Sequence, residues 1–560
     1  MYTMNGAGII IELLERQGIT TLAGIPGGAN LPLYDALNRS RKIRHILARH
    51  EQGAGFIAQG MARSTGLPGV CFATSGPGAT NILTAVADAY LDSIPIVCIT
   101  GQVPCPLIGT DAFQEVDTYG MSIPVTKHNF LVRSAAELLQ VVPEAFRIAV
   151  SGRPGPVLID IPKDVQSEVI DFSLWPEPGR PGAIPVSETG MLAQAVEMLE
   201  SAERPMLYIG GGIIHAGAAS AVLRLAETGT IPVAMTLMGL GTVPAGHPLN
   251  LGMLGMHASR ATNLALEECD LLIAAGVRFD DRATGRIAEF CPAARVIHMD
   301  IDPSEISKLK TADLALTGDV RQGLSRLAQL IRPRRRQAWL SRVALLQKTY
   351  PLVGPDGLSP ESPQARITQI AGLLDDQAVI VTDVGKHQMW TAQVYPFARP
   401  RQFLTSGGLG TMGFGLPTAI GAALACPDRQ VVCFTGDGSL QMNIQELATA
   451  VEQRVNVRII VLNNNSLGLV RQQQDLFYEG HRFASEYRIS IDFPAIARGF
   501  GMRAFDIRCE DDPQGQLAAA FREPGPCLIN IPIGIDEDVF PMVPPGAANT
   551  TMIGGYNVEG

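Results

Sequence analysis

The sequence predicts an α/β fold of three doubly wound domains with mainly parallel sheets, and three observations carry that expectation. Short apolar, β-like runs alternate with stretches of helical periodicity along all 560 residues, which is the pattern of successive βαβ units. Two Pro/Gly-rich stretches, Asp171 to Ser187 and Pro351 to Pro363, divide the chain at breaks suited to linkers. The first and third segments each contain a strand, a glycine turn, a helix and a returning strand in the same order, a sign of internal duplication. The expected domains are residues 1–170, 188–335 and 360–545, with a tail at 546–560.

Charge and composition narrow the partners. With 44 basic and 54 acidic residues the net charge is −10, so nucleic acid and anionic membrane are poor partners. No apolar run reaches the roughly 18 residues of a membrane span. The N-terminus, MYTMNGAGIIIELLERQG, reads as an amphipathic helix rather than a leader, and the expected location is cytoplasmic. Nine cysteines without a C-x-x-C pair read as small buried residues of a reducing compartment. The basic run Arg332-Pro333-Arg334-Arg335-Arg336 reads as a solvated face.

In the first segment, the apolar run Ile46-Leu47-Ala48 precedes Arg49-His50-Glu51 and a small-residue helix start. A glutamate at such a place is ordinarily a first-turn charge on the helix dipole. Further on, Gly69 to Thr74 leads into Ser75-Gly76-Pro77-Gly78, a helix, and a returning run from Ile94 to Thr100. The loop lacks the lysine of a Walker A sequence, which argues against a nucleotide triphosphate site.

The middle segment places Gly210-Gly211-Gly212 after the run Pro205 to Ile209, then Gly255-Met256-His257, then Asp300-Ile301-Asp302 after Arg295 to Met299. Glycines and acids at strand ends indicate a Rossmann-like sheet and nothing narrower. Arg278 follows the run Asp270 to Gly276, and a guanidinium at a strand's carboxyl end can hold a carboxylate bidentately.

In the third segment, Val431 to Phe434 stops at Gly436-Asp437-Gly438, and Val457 to Leu462 returns to stop at Asn463-Asn464. Between them, Asn443 and Glu446 read as a capping-box pair for the connecting helix. Parallel neighbours lie about 4.8 Å apart, so Asp437 and Asn464 should emerge together at the sheet's carboxyl edge, where open α/β sheets bind ligands. A carboxylate, an amide oxygen and a nearby carbonyl form a hard oxygen site for Mg²⁺ that also takes phosphate oxygens, and the glycines let backbone approach them. A tight turn and a polar loop are the plain alternative. Gly408 to Gly413 matches G-x-G-x-x-G but lacks the βαβ context and following acid of a dinucleotide site.

The unit from Gly436 to Asn464 resembles the diphosphate-binding signature of thiamine diphosphate (ThDP) enzymes. Taken with Gly24 to Asp35, Arg49 to Ala58, Gly109 to Asp117, Arg153 to Gln166, Gly276 to Arg282 and Ser406 to Leu416, the chain is similar to acetohydroxyacid synthase, also called acetolactate synthase, as far as Pro545. The resemblance implies pyrimidine-binding and diphosphate-binding domains around a flavin domain. It implies ThDP, Mg²⁺ and FAD as cofactors, the FAD structural because the condensation needs no net electron transfer.

Residue by residue, the resemblance implies metal ligands Asp437, Asn464 and the Ser466 carbonyl. It implies ThDP contacts from Gly27, Gly28, Glu51, His387, Gly410, Met412, Gly436, Gly438, Ser439 and Gly468, and flavin contacts from Arg153, Gly210, Gly211, Gly212, His257, Arg278, Asp300 and Asp319. Glu51 would be the carboxyl at the aminopyrimidine, buried, that promotes loss of the thiazolium C2 proton on a cofactor held by another subunit. Met412 would wedge between the cofactor rings, Phe113 shape the substrate channel, Gln114 hydrogen-bond reacting oxygens, Lys163 favour anionic substrates and Arg278 select a 2-ketoacid.

The implied reaction decarboxylates pyruvate on ThDP and transfers the hydroxyethyl carbanion to pyruvate or 2-ketobutyrate. The products are 2-acetolactate or 2-aceto-2-hydroxybutyrate, on the route to valine, leucine and isoleucine. Implied partners are a second copy in at least a homodimer, dimer versus tetramer being open, and a small regulatory subunit, with Pro541 to Gly560 as a tail that closes over the site. A flavin-dependent pyruvate oxidase, a catabolic acetolactate synthase and a non-catalytic paralogue remain as alternatives; glyoxylate carboligases lack the glutamate that Glu51 supplies. One departure bears on specificity. Arg471-Gln472-Gln473-Gln474 stands where many members have Arg-Gln-Trp-Gln, and the lost tryptophan implies a weak preference for 2-ketobutyrate and weaker sulfonylurea binding.

Overall fold

The computed structural model describes residues 1–560 apart from 186–188, 509–511 and 559–560. Three six-stranded parallel sheets follow one another along the chain. The first uses strands Thr21–Gly24, Arg44–Leu47, Gly69–Ala73, Ile96–Gln102, His128–Leu131 and Val157–Pro162. The third uses Val379–Thr382, Phe403–Leu404, Val431–Gly436, Val457–Asn463, Arg503–Asp506 and Cys527–Pro532. Numbered within each domain, both have the order 2-1-3-4-6-5, so the duplication visible in one glycine turn extends across the whole sheet. Strands such as Ile96–Gln102 are buried throughout, as a parallel sheet covered on both faces by helices requires.

The middle sheet, from Pro205–Ile209, Val233–Met235, Asn250–Met253, Leu271–Ala275, Arg295–Asp300 and Leu314–Thr317, has the order 3-2-1-4-5-6. That is the Rossmann order, whose crevice lies where strands 1 and 4 diverge. Helix Gln337–Thr349 packs on this sheet, Trp339 Nε1 donating to Pro205 O at 3.1 Å. Among the described residues no helix is long and apolar enough to cross a membrane.

Several local expectations give way to tertiary demands. The N-terminus is not one helix: Tyr2–Asn5 is a strand paired antiparallel with Val169–Phe172, and helix Gly6–Arg16 follows, capped by Asn5. The stretch from Asp171 therefore begins inside the first domain; its end at Ser187 and the boundary at 188 lie outside the described residues. The arginine run is a solvated face only in part, Arg332, Pro333 and Arg335 being exposed. Arg336 is buried and donates to Leu199 O at 2.7 Å, to Ala202 O and to Gly229 O, while Arg334 reaches Glu200 O and Glu203. These carbonyls end or follow helices Thr189–Ser201 and Ala219–Gly229, whose last turns leave acceptors that need donors.

Asn443 and Glu446 form no capping box. A short helix, Asp437–Gln441, precedes helix Glu446–Gln453, which has no side-chain cap. Glu446 is buried and accepts from Arg49 N (2.9 Å), His50 N (3.1 Å) and Thr449 Oγ1 (2.7 Å). The N–H groups before helix Glu51–Thr65 of the first domain thus take the carboxylate, a stronger demand than the local one.

That helix also joins the two similar domains. It crosses helix Gly415–Ala425 so closely that a Cβ on Gly60 would lie 2.1 Å from Thr418 O, and one on Gly421 2.0 Å from Ile57 O. Only glycine lets the backbones meet at this distance. The C-terminal segment is strapped along the middle domain: Val543 N donates to Met256 O (2.8 Å), Arg286 N to Ala547 O (2.9 Å) and Asn549 Nδ2 to Ala283 O (2.9 Å). The tail thereby lies beside the segment that carries Arg278.

Candidate active site

Pairing of Gly436 with Leu462 sets the ends of two parallel strands side by side. Asp437 and Asn464 are buried there, and Asp437 Oδ2 and Asn464 Oδ1 both accept from Ser466 N, at 3.0 and 3.2 Å. Burial pushes the Asp437 carboxyl up to about 6, because its charge has lost water and gained only backbone donors; a cation would restore the ionised form.

The surroundings fit a diphosphate as well as a hard cation. His387 is buried, its Nε2 has no partner, and its ring lies 3.0 Å from where a Gly436 Cβ would sit. Burial holds this imidazole neutral, lowering it to about 3, so the ring carries one N–H and one lone pair, and its Nε2 is open to a partner. Ser466 Oγ is likewise buried without a partner. A Cβ on Gly468 would lie 2.8 Å from Asn464 Nδ2, and one on Gly438 2.7 Å from Tyr487 Oη. Ser439 Oγ donates to Val384 O at 2.7 Å, fixing the turn. Orphaned polar atoms, side-chain-free backbone and oxygen ligands are what a bound phosphate and Mg²⁺ require.

Met412 stands over this floor, its Cε 3.6 Å from the Gly438 Cβ position. Gly410, with φ +70°, opens on free space beside it. The far end of the Met412 loop is fixed by Asp383, which accepts from Gly413 N (2.9 Å) and Gly415 N (3.0 Å).

Glu51 opens its helix behind His50, whose Nδ1 caps Gln52 N at 3.1 Å. One carboxylate oxygen accepts from Asn81 Nδ2 at 3.0 Å, and the other lies 3.4 Å from the Gly78 Cβ position. Gln114, in a left-handed conformation at φ +59°, presses its backbone on Gly76, and Gly27 closes on Thr74, whose Oγ1 is buried without a partner. Glu51, Gln114 and Gly27 are thus gathered around the loop Ser75–Gly78, while Gly28 faces open space. Lys163 is exposed at the first turn of helix Lys163–Ser167, and Phe113 is 88% exposed.

These two clusters do not face each other across the helix pair. At about 100° per residue, Gly53 and Gly60 project from one side of helix Glu51–Thr65, where Gly53 meets Glu446 and Gly60 meets Thr418 of the same chain. Glu51 projects from the opposite side. The role implied for Glu51 needs a buried carboxyl, and in the single chain Glu51 is half-buried.

The flavin candidates line the carboxyl edge of the middle sheet. Gly210 and Gly212 serve packing: Cβ atoms there would lie 2.5 Å from Gly276 O and 2.6 Å from Gly276 Cα, while Gly211 meets Met238 at 3.3 Å. Arg278 is half-buried and, among the described residues, makes no hydrogen bond or ion pair. Thr236 Oγ1, at the end of strand 2, is buried without a partner. An unpaired guanidinium and an orphaned hydroxyl at the switch point fit an anionic dinucleotide.

The other candidates there are tied into the fold. Arg153 bridges Ser93 Oγ (2.8 Å) and Glu305 (2.7 Å), His257 meets Pro541 O (3.3 Å), Asp300 accepts from Asp302 N (2.9 Å), and Asp319 caps helix Val320–Leu330. Burial lowers His257 to about 4 and raises Asp300 to about 6.

Four residues that sequence reasoning passed over belong to these clusters: Asn81 on Glu51, Thr74 beside it, Tyr487 over Gly438, and Lys386, whose side chain lies 2.9 Å from the Gly468 Cβ position. Asn81 lies one turn into helix Pro77–Leu91, just after the first-domain glycine loop; nothing local marks Tyr487.

Comparison with known proteins agrees with this geometry. Residues 4–121 match the family description "Thiamine pyrophosphate enzyme, N-terminal TPP binding domain", residues 192–327 the central domain and residues 383–531 the C-terminal TPP binding domain. The acetolactate synthase isozyme 1 large subunit of Escherichia coli is 58% identical over 98% of this chain and 97% of its own length. An acetolactate synthase large subunit of Parasynechococcus marenigrum is 47% identical over 99% of this chain and 91% of its own. A probable acetolactate synthase large subunit of Methanocaldococcus jannaschii is 45% identical over 99% and 96%. With all three domains matched in order and near full-length identity of this size, the chain belongs to the acetolactate synthase large subunits of the thiamine pyrophosphate enzymes.

Proposed function

We propose that the chain condenses pyruvate with a second 2-ketoacid, pyruvate or 2-ketobutyrate, in a cytoplasmic homodimer or larger assembly that holds ThDP, Mg²⁺ and FAD. The observation that carries the reading is the pairing of the buried Asp437 and Asn464 oxygens on one N–H beneath Met412. When bound, ThDP supplies a thiazolium carbon acidic enough to become a nucleophile and able to stabilise the negative charge left by decarboxylation. The protein's part is to bind and orient. Asp437, Asn464 and the Ser466 carbonyl would hold the cation, His387 would present its unpartnered Nε2 to the cofactor, and Glu51 would accept or give a proton at the aminopyrimidine ring. Arg278 is free to pair with a substrate carboxylate, and Lys163, Gln114 and Phe113 line the approach.

Domains at 1–170, 188–335 and 360–545 would take the pyrimidine, the flavin and the diphosphate, with Arg153, Gly211, His257, Arg278, Asp300 and Asp319 around the flavin. Because Glu51 points away from its own third domain, the second copy supplies the diphosphate floor that Glu51 meets. The relatives are named large subunits, which supports a small regulatory partner.

Product analysis tests the function. The pure chain with ThDP, Mg²⁺, FAD and equimolar pyruvate and 2-ketobutyrate should give acetolactate and acetohydroxybutyrate with little oxygen consumed. Acetate or acetyl phosphate with oxygen uptake would mean an oxidase instead.

Specificity rests on one side chain. Gln472 is buried on Val539 (2.9 and 3.1 Å) and Gln474 bonds Phe483 O (2.9 Å) and Ser485 Oγ (2.6 Å). Gln473, between them, is exposed and, among the described residues, has no partner. Gln473→Trp should therefore leave the fold intact and raise the acetohydroxybutyrate to acetolactate ratio about 10-fold, since one methylene in an apolar pocket is worth roughly 1–3 kcal/mol. An unchanged ratio would remove residue 473 from specificity.

A further inference from the structure

We infer that Asp92, with Asp88 and Arg63, is a positioning device that sets the Met412 loop from a different domain of the same chain; the inference rests on the proposed ThDP site. Asp88 and Asp92 have fully buried side chains, and Arg63 Nη2 pairs with both, at 3.0 and 2.8 Å. Three ions in so dry a place are costly unless every lone pair is used, and here the loop uses them. Asp92 takes two consecutive backbone donors, Gly407 N at 3.0 Å and Gly408 N at 2.7 Å. Asp88 Oδ1 accepts from Ser406 Oγ and from Thr411 Oγ1 (3.0 Å). Arg63 Nη1 donates to Thr405 O at 2.9 Å, and its guanidinium lies 4.9 Å over the Phe414 ring.

The loop is therefore gripped at Thr405, Ser406, Gly407, Gly408, Thr411 and Phe414, and Asp383 holds Gly413. Leu409, Gly410 and Met412 are left facing outward: Leu409 is exposed, Gly410 opens on free space and Met412 is half-buried. A Cβ on Gly408 would lie 2.9 Å from Leu91 Cβ and 3.0 Å from Asp92 Oδ1, so glycine there lets the carboxylate reach the backbone. Charge-assisted bonds to successive N–H groups are short and directional, which suits fixing a loop tip to within an ångström. Met238 of the middle domain also packs here, its Sδ 2.4 Å from where a Gly407 Cβ would sit, so all three domains meet at this point.

The placement on the helices adds a second consequence. Arg63 lies in the last turn of the helix that Glu51 opens. In a dimer whose sites each take Glu51 from one chain and Met412 from the other, one helix touches both sites, its first residue at one and Arg63 at the loop of the other.

The test is Asp92→Asn, which keeps shape and one acceptor but removes the charge. In the cofactor-free protein, hydrogen exchange of the amides at 407–408 should accelerate about 10-fold, with the strands at 431–436 and 457–463 unaffected. ThDP and Mg²⁺ affinity should stay within about 2-fold, while C2 proton exchange at cofactor saturation falls about 10- to 100-fold, the usual cost of an ångström of misplacement. Unchanged loop exchange, or a loosened loop with C2 exchange at the wild-type rate, would overturn the inference. If Asp92→Asn does not fold, Thr411→Val removes one bond to Asp88 and should move both readouts in the same direction by less; wild-type behaviour there overturns it equally. Failure of the unaltered chain to bind ThDP would sink the cofactor reading instead, and the loop exchange would still decide the positioning claim.

Discussion

Glu51→Gln should slow exchange of the bound cofactor's C2 proton by about 10²- to 10⁴-fold, the range for removing a positioned acid or base, while ThDP and Mg²⁺ binding stay close to normal. The substitution keeps the bond from Asn81 Nδ2, because the amide oxygen still accepts, so the side chain should stay in place. What it loses is the ability to take and return a proton. The separation of the two clusters gives the second half of the expectation: the diphosphate floor at Asp437 and His387 belongs to another domain and does not touch Glu51. Near-normal exchange in this variant would remove Glu51 from the proton transfer, whatever its place in the fold.

Asp437→Ala should abolish Mg²⁺-dependent retention of ThDP, lowering cofactor affinity by about two orders of magnitude or more, the several kcal/mol that a bound divalent ion supplies against phosphate charge. In the proposed ligand set Asp437 would be the one carboxylate, while Asn464 and the Ser466 carbonyl would contribute dipoles only. The alanine also leaves Ser466 N one acceptor of the two it has now. Equilibrium dialysis of ThDP with and without Mg²⁺ reads this directly. An affinity that stays high and insensitive to a chelator would mean that the cation sits elsewhere.

How legible was this in the chain? The parallel sheets and the pairing of Asp437 with Asn464 were, because both follow from local periodicity and from strand geometry that any βαβ unit shares. The matching sheet orders were visible only as one echo, since strand order depends on crossovers that no local window records. Glu446 shows the limit most clearly: its spacing from Asn443 suits a capping box, yet the N–H groups of Arg49 and His50, 397 and 396 positions earlier, take the carboxylate. Arg336 is the same case among cations, a surface pattern by composition and a buried cap of helix ends in the fold. Asp88 and Asp92 carried no signal, because nothing in a helix sequence states that its carboxylates will meet a glycine loop of another domain.

One measurement bears most directly on the central claim, that Glu51 of one chain works with Asp437 of another. Chains carrying Glu51→Gln and Asp437→Ala, each inactive alone, are co-expressed and the mixed population is purified. Statistical mixing in a two-fold assembly makes half of the dimers mixed, each with one intact site, so about one quarter of wild-type acetolactate synthesis should return. If the mixture stays as inactive as its parents, both residues serve the same chain's site, and the two-chain assembly is wrong.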